Sequence, residues 1–127
     1  LSNQADKIQY SRRFFLILAW IFAVCITVQT FLAGLAIFTN HSYWAYHTTF
    51  AIWFQFIPIL MLVLAFMGQL SKRIQWQVTG LFLLIVPLQY VSVHVPGIGA
   101  IHPVIALVLF WLIVIIIQKV SRLNKNV

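Results

Sequence analysis

In 127 residues the chain carries a single acidic side chain, Asp6, against eight lysines and arginines, and a single cysteine, Cys25. With no carboxylate beyond position 6, no histidine has an acid to orient it and no general acid is at hand, which excludes hydrolysis by a carboxylate pair or a triad. Cys25 lies inside an apolar run and has no partner for an intrachain disulfide. A phosphate-cradling glycine loop is missing as well. No charged side chain falls in the middle of an apolar run, which argues against an ion-coupled transporter. The cations flank apolar runs and form no stripe or groove, so they suit anionic lipid headgroups and not nucleic acid.

What the chain does have is apolar length. Hydrophobic residues make up 63% and charged residues 7%, which places it among polytopic membrane proteins. A spanning helix needs about 20 predominantly apolar residues, and four stretches qualify, near 14–38, 45–69, 74–94 and 102–119. The first is too long, and too well followed by further spans, to be a cleaved signal peptide. The expected fold is all-α: one integral membrane domain over 1–127, an antiparallel four-helix bundle whose short connections make neighbours run opposite ways.

Lys7, Arg12 and Arg13 precede the first run, Lys72 and Arg73 separate the second from the third, and Lys119, Arg122 and Lys125 follow the fourth. By the positive-inside rule those segments, and both termini, are cytoplasmic, with the spans in the cell membrane. Residues 1–11 and 123–127 read as mobile tails, and Leu1 in first place reads as a trimmed chain or a non-standard start codon. Pro96, Gly97 and Gly99 break the second outer loop, and Pro103 suits the first turn of the last helix. Pro58 and Pro87 lie within spans and are expected to kink them. Tyr43, Trp44 and Tyr46 form an outer aromatic belt and Trp76 marks the inner one. Trp20, Trp53 and Trp111 lie deeper, for packing or lipid contact, and Cys25 reads as a small packing residue.

All four histidines, His41, His47, His94 and His102, fall on the side opposite the cations, so any chemistry is expected there. A weak internal repeat singles out two of them. Gln29 on the first run is followed by His47 opening the second, with Ala51 four residues on. Gln89 on the third is followed by His102 opening the fourth, with Ala106 four residues on. That spacing puts each alanine one turn below its histidine on the same face, where a flat ligand can approach the backbone. Second and fourth helices are diagonal in a simple bundle, so His47 and His102 face each other. Two neutral imidazoles so placed are what axial ligation of haem iron requires. Ala33, Gly34 and Ala36 leave room for a macrocycle, and Gln29 and Gln89 can orient a ligand or water. Tyr43, Tyr46, Ser42 and Ser92 are candidate donors to haem propionates.

His47 and His102, with Leu88-Gln89 upstream and Ala106 one turn below, resemble one four-helix half of the haem A synthase family. That likeness implies a bundle whose second and fourth helices offer haem-ligating histidines near the outer face. Phe31-Leu32-Ala33-Gly34-Leu35 and Ile101-His102-Pro103-Val104 are also similar to a group of small, uncharacterised bacterial four-helix membrane proteins. The synthases have two halves, a functional acidic residue and, in many members, a loop cysteine pair. None of these is present, so only the bis-histidine role carries over, to His47 and His102.

Three functions follow from these residues. One is a haem-b-binding, cytochrome-like electron carrier, exchanging electrons with a quinone or an extracytoplasmic partner. A second is a non-catalytic accessory subunit or assembly factor of a larger membrane complex. The third is a transition-metal site built from several histidines, with His94 and His41 as secondary ligands. Electron transfer needs no protein acid, because the cofactor carries the chemistry. The competing roles are plainer. His41 and His94 suit a loop and a helix end, and Gln29, Gln55 and Gln89 suit interhelical hydrogen bonding.

Overall fold

The computed structural model describes residues 2–125, with side chains from 3 to 124. It is helical throughout, with no strand among the described residues. The first span is one helix, α1 (Ser2–Phe38). The second is α2 (Tyr43–Phe54) and α3 (Ile57–Met67). The third runs through α4 (Lys72–Leu83), a π-helical turn (Leu84–Leu88) and α5 (Gln89–His94). After a 3₁₀ turn at Gly99–Ile101, α6 (His102–Lys125) forms the fourth. All four spans are long and apolar enough to cross a membrane, and the chain is a multi-pass membrane protein.

Residues 2–11, expected as a mobile tail, are instead the opening turns of α1, which at 37 residues is about 55 Å long, well beyond a hydrocarbon core of about 30 Å. Ser11 is buried and its hydroxyl donates to the Lys7 carbonyl at 2.8 Å, while Ala5, Ile8, Gln9 and Arg12 line a groove with Asn124 of α6. Residues 123–125, also expected as tail, continue α6; residues 126 and 127 lie outside the described residues.

The two internal prolines act differently from a simple kink. At Gln55-Phe56 the second span stops and restarts, and Pro58 falls in the first turn of α3, where a missing N–H leaves nothing unpaired. Pro87 sits inside the π turn, a wider turn that accommodates an interrupted ladder.

α1 packs against α2, α3 and α6, and α4 against α3 and α6. The four spans therefore form a ring in chain order, with the second and fourth diagonal. Each lays a stripe with coiled-coil spacing onto the common axis. The buried positions are Phe15, Ala19, Phe22 and Ile26 on the first span, and Phe54, Pro58, Met61 and Ala65 on the second. They continue as Ile74, Val78, Leu81 and Ile85 on the third, and as Ile105, Leu109, Ile113, Ile116 and Val120 on the fourth. Trp20, Trp53 and Trp111 are each more than half exposed, so they face lipid and not the core.

At the basic end, α1 crosses the end of α3 closely. Arg12 Nε donates to the Gly68 carbonyl at 2.8 Å, and a Cβ on Gly68 would lie 3.0 Å from the Leu64 carbonyl oxygen and 3.1 Å from Arg12 Cγ. Gly68 is needed for that approach, and the left-handed residue ending α3 is its neighbour Gln69, at φ 49°. Bonds from Gln69 N to Phe66 O and from Leu70 N to Ala65 O complete a Schellman cap.

Candidate functional site at the histidine end of the bundle

Extending each stripe away from the basic end brings four polar positions into one layer. Gln29 lies three residues past Ile26, His47 seven before Phe54, Gln89 and Ser92 four and seven past Ile85, and His102 three before Ile105. Helical spacing thus substitutes a polar layer for the next apolar one. Its floor is aromatic and aliphatic: the Phe54 ring lies 5.8 Å from that of Phe22 and 5.3 Å from that of Phe50.

The structure brings His47 and His102 together from diagonal spans, with ring centres 6.2 Å apart and planes inclined at 52°. Each ring is tethered through Nδ1. His47 Nδ1 lies 3.0 Å from the Gln29 carbonyl, and Gln29 Nε2 donates back to the His47 carbonyl at 2.8 Å. A carbonyl oxygen only accepts, so His47 is the Nδ1–H tautomer. His102 Nδ1 lies 3.1 Å from Ser92 Oγ, whose hydroxyl donates to the Gln89 carbonyl at 2.7 Å. With the Ser92 proton on the Gln89 carbonyl, Ser92 Oγ meets His102 Nδ1 as an acceptor, an arrangement that matches the Nδ1–H tautomer. Both Nε2 lone pairs are left uncommitted. The amide oxygens Gln29 Oε1 and Gln89 Oε1 are buried and have no hydrogen-bond partner among the described residues.

The layer is therefore rich in lone pairs. Two imidazole nitrogens and two amide oxygens are available, an arrangement that suits an electron-pair acceptor such as a metal centre and disfavours an anion. Metal-ligating histidines ordinarily donate their other N–H to a carbonyl or a similar acceptor, as both do here. With metal–nitrogen bonds of about 2 Å, two imidazoles on one iron place their ring centres roughly 6 Å apart. The observed separation fits that requirement.

The remaining candidates divide. Ala51 and Ala106 are half-buried, one turn below their histidines. Ala33 and Ala36 continue the stripe of Gln29, whereas Gly34 falls off it by helical spacing, and a Cβ added there would meet nothing within 4 Å. His94 is exposed, stacked on Tyr90 at 4.0 Å with Nδ1 held by the Tyr90 carbonyl at 2.7 Å. His41 is exposed in the loop, edge-on to Trp44. Among the described residues, no three His, Cys, Asp or Glu side chains come together as a metal-binding group, so the expectation of an ion held by three or four histidines finds no such cluster.

Two contacts were not anticipated. Trp44, expected only as an interfacial belt residue, presents its ring at 5.3 Å and 85° to His47. Ser92, expected as a propionate donor, is 1% exposed and contacts His102 instead. Its spacing of three from Gln89 was the available signal, because it puts both on one helix face.

A model described as a family of unknown function, DUF6220, matches residues 29–95, just over half of the chain. The matched stretch opens at Gln29, includes His47, Gln89 and Ser92, and stops before His102. No curated protein and no solved structure matches the chain.

Proposed function

The chain belongs to the DUF6220 family, whose function is unknown, and we propose that in this member His47 and His102 are the axial ligands of a b-type haem serving electron transfer. The observation that carries the reading is the pair of Nδ1–H imidazoles 6.2 Å apart with both Nε2 atoms uncommitted. When bound, haem iron supplies a one-electron couple tuned by its ligands and surroundings. The protein holds His47 by the Gln29 carbonyl and His102 by the Ser92 hydroxyl, excludes water from below with Phe22, Phe50 and Phe54, and keeps small residues at Ala51 and Ala106 beside the rings. By the positive-inside rule the basic end faces the cytoplasm and the site lies near the outer face of a bacterial plasma membrane. A quinone or a partner complex in that membrane is the matching source of electrons.

A second reading has its own support. The two buried, unpartnered amide oxygens of Gln29 and Gln89 favour a bare transition-metal ion held with the same two histidines. An accessory-subunit role needs no ligand at all.

The deciding experiment is a reduced-minus-oxidised absorption spectrum of protein purified in mild detergent from a haem-replete host, beside His47→Ala and His102→Ala. Low-spin b-type bands in the wild type, lost in both variants, are the expected result. A colourless wild type overturns the haem reading. Metal analysis of the same sample then separates a bound ion from an accessory role.

A further inference from the structure

The two histidines differ in the atom that meets Nδ1: a main-chain carbonyl oxygen for His47 and the Ser92 hydroxyl for His102. His47 donates straight to a main-chain carbonyl, which no substitution removes. His102 reaches its acceptor through a side chain, in the sequence His102 Nδ1–H to Ser92 Oγ, then Ser92 O–H to the Gln89 carbonyl. Ser92 is the fully buried hydroxyl of the third span. A serine in the last turns of a helix can satisfy its own proton on the i−3 carbonyl without any outside partner, so the contact to His102 is additional to what its burial needs. With its proton on the Gln89 carbonyl, Ser92 faces His102 as an acceptor. Of the two neutral forms of the ring, that arrangement favours N–H on Nδ1 and a lone pair on Nε2.

We propose that Ser92 is a positioning residue that selects the metal-ligating tautomer of His102, which makes His102 the ligand under side-chain control and His47 the invariant one. The inference rests on the reading that His102 Nε2 binds a metal centre. The tautomer itself is a property of the ligand-free protein. Removing the hydroxyl leaves Nδ1 without that acceptor and frees the ring to place its proton on Nε2, where it blocks coordination. Loss of an outer partner of this kind ordinarily weakens metal binding about 10–100-fold. Ser92→Thr keeps the hydroxyl and is expected to restore the wild-type pattern.

The test uses the full chain in detergent with ¹⁵N-labelled histidine, first without added ligand. The His102 signals, assigned by their loss in His102→Ala, are expected to show Nδ1 protonated and Nε2 bare in wild type and Ser92→Thr. Ser92→Ala is expected to shift them towards Nε2–H while the His47 signals stay unchanged. The second arm titrates haem into the same three proteins and follows the absorption change and carbon monoxide binding to the ferrous form. Weaker uptake and new carbon monoxide binding are expected in Ser92→Ala alone. An unchanged His102 tautomer in Ser92→Ala overturns the proposal. A changed tautomer with no haem uptake by any of the three proteins upholds the role of Ser92 in setting the ring and overturns the haem reading instead.

Discussion

Gln29 and His47 hold each other by their main chains: the Gln29 amide donates to the His47 carbonyl at 2.8 Å, and the His47 ring donates to the Gln29 carbonyl at 3.0 Å. Two hydrogen bonds thus tie the outer turns of neighbouring spans while leaving Gln29 Oε1 and His47 Nε2 unused. The pair combines a structural clamp with a ligand-ready face.

The clamp is modest in energy. An interhelical hydrogen bond in a membrane averages about 0.6 kcal/mol, and Gln29→Leu also removes a buried acceptor that lacks a partner, which offsets part of that loss. Gln29→Leu is expected to change unfolding free energy by less than about 1 kcal/mol, as measured by thermal or denaturant unfolding in detergent. A loss of several kcal/mol contradicts the view that the polar layer is kept for binding and not for stability.

Gly34 within α1 and Gly68 at the end of α3 respond oppositely. Gly68→Ala places a methyl 3.0 Å from the Leu64 carbonyl of its own span and 3.1 Å from Arg12 Cγ on α1, so the Arg12 contact must give by a few tenths of an ångström, at a cost of about 1–3 kcal/mol. Gly34→Ala meets nothing within 4 Å and is expected to be neutral or slightly stabilising through better helix propensity. Comparing the two melting curves in one detergent checks both. Equal effects contradict the close crossing at the basic end.

Pro87 is tested through its π turn. From Leu81 to Ser92 the inward positions step by four, four and three, through Ile85 and Gln89, and the wide turn at Leu84–Leu88 lies under the second step. Pro87→Ala supplies the missing N–H and lets the ladder close as ordinary α-helix. Rotation of Gln89–His94 then carries Ser92 away from His102. The expected readout is the same change in His102 tautomer that Ser92→Ala produces, with Pro58→Ala, in the first turn of α3, leaving it unchanged.

Orientation is tested chemically. In a Cys25→Ser background, Ser42→Cys is expected to react with a membrane-impermeant maleimide in intact cells, and Ser71→Cys only after the membrane is opened. The reverse pattern places the histidine site on the cytoplasmic side.

Much of the site was legible in residue spacing. Gln29, His47, Gln89 and His102 stand out because a polar residue recurs at matching places in two hairpins, and a ring of four helices in chain order puts His47 opposite His102. The tethers were not legible. His47 is tied to the Gln29 carbonyl and Ser92, beside His102, to the Gln89 carbonyl; every residue has a carbonyl, so no side-chain pattern marks them. Ser92 was visible as a polar residue near the outer surface, but its partner depended on how far α5 is rotated. The extension of α1 to Ser2 was missed for a similar reason. Residues 2–11 are polar enough to read as a tail, yet they continue α1, with Ile8 half-buried and Ser11 buried.

Sequence alone determined the membrane class, the four spans and the separation of cations from histidines. These follow from local hydropathy and charge, which act on each segment without reference to any other. Tertiary structure decided that Gly68 serves a close crossing, that Pro87 sits in a wide turn, and that each imidazole meets an oxygen through Nδ1. Those outcomes depend on the rotation of each helix about its axis and on which main-chain groups then meet, and packing between spans sets both.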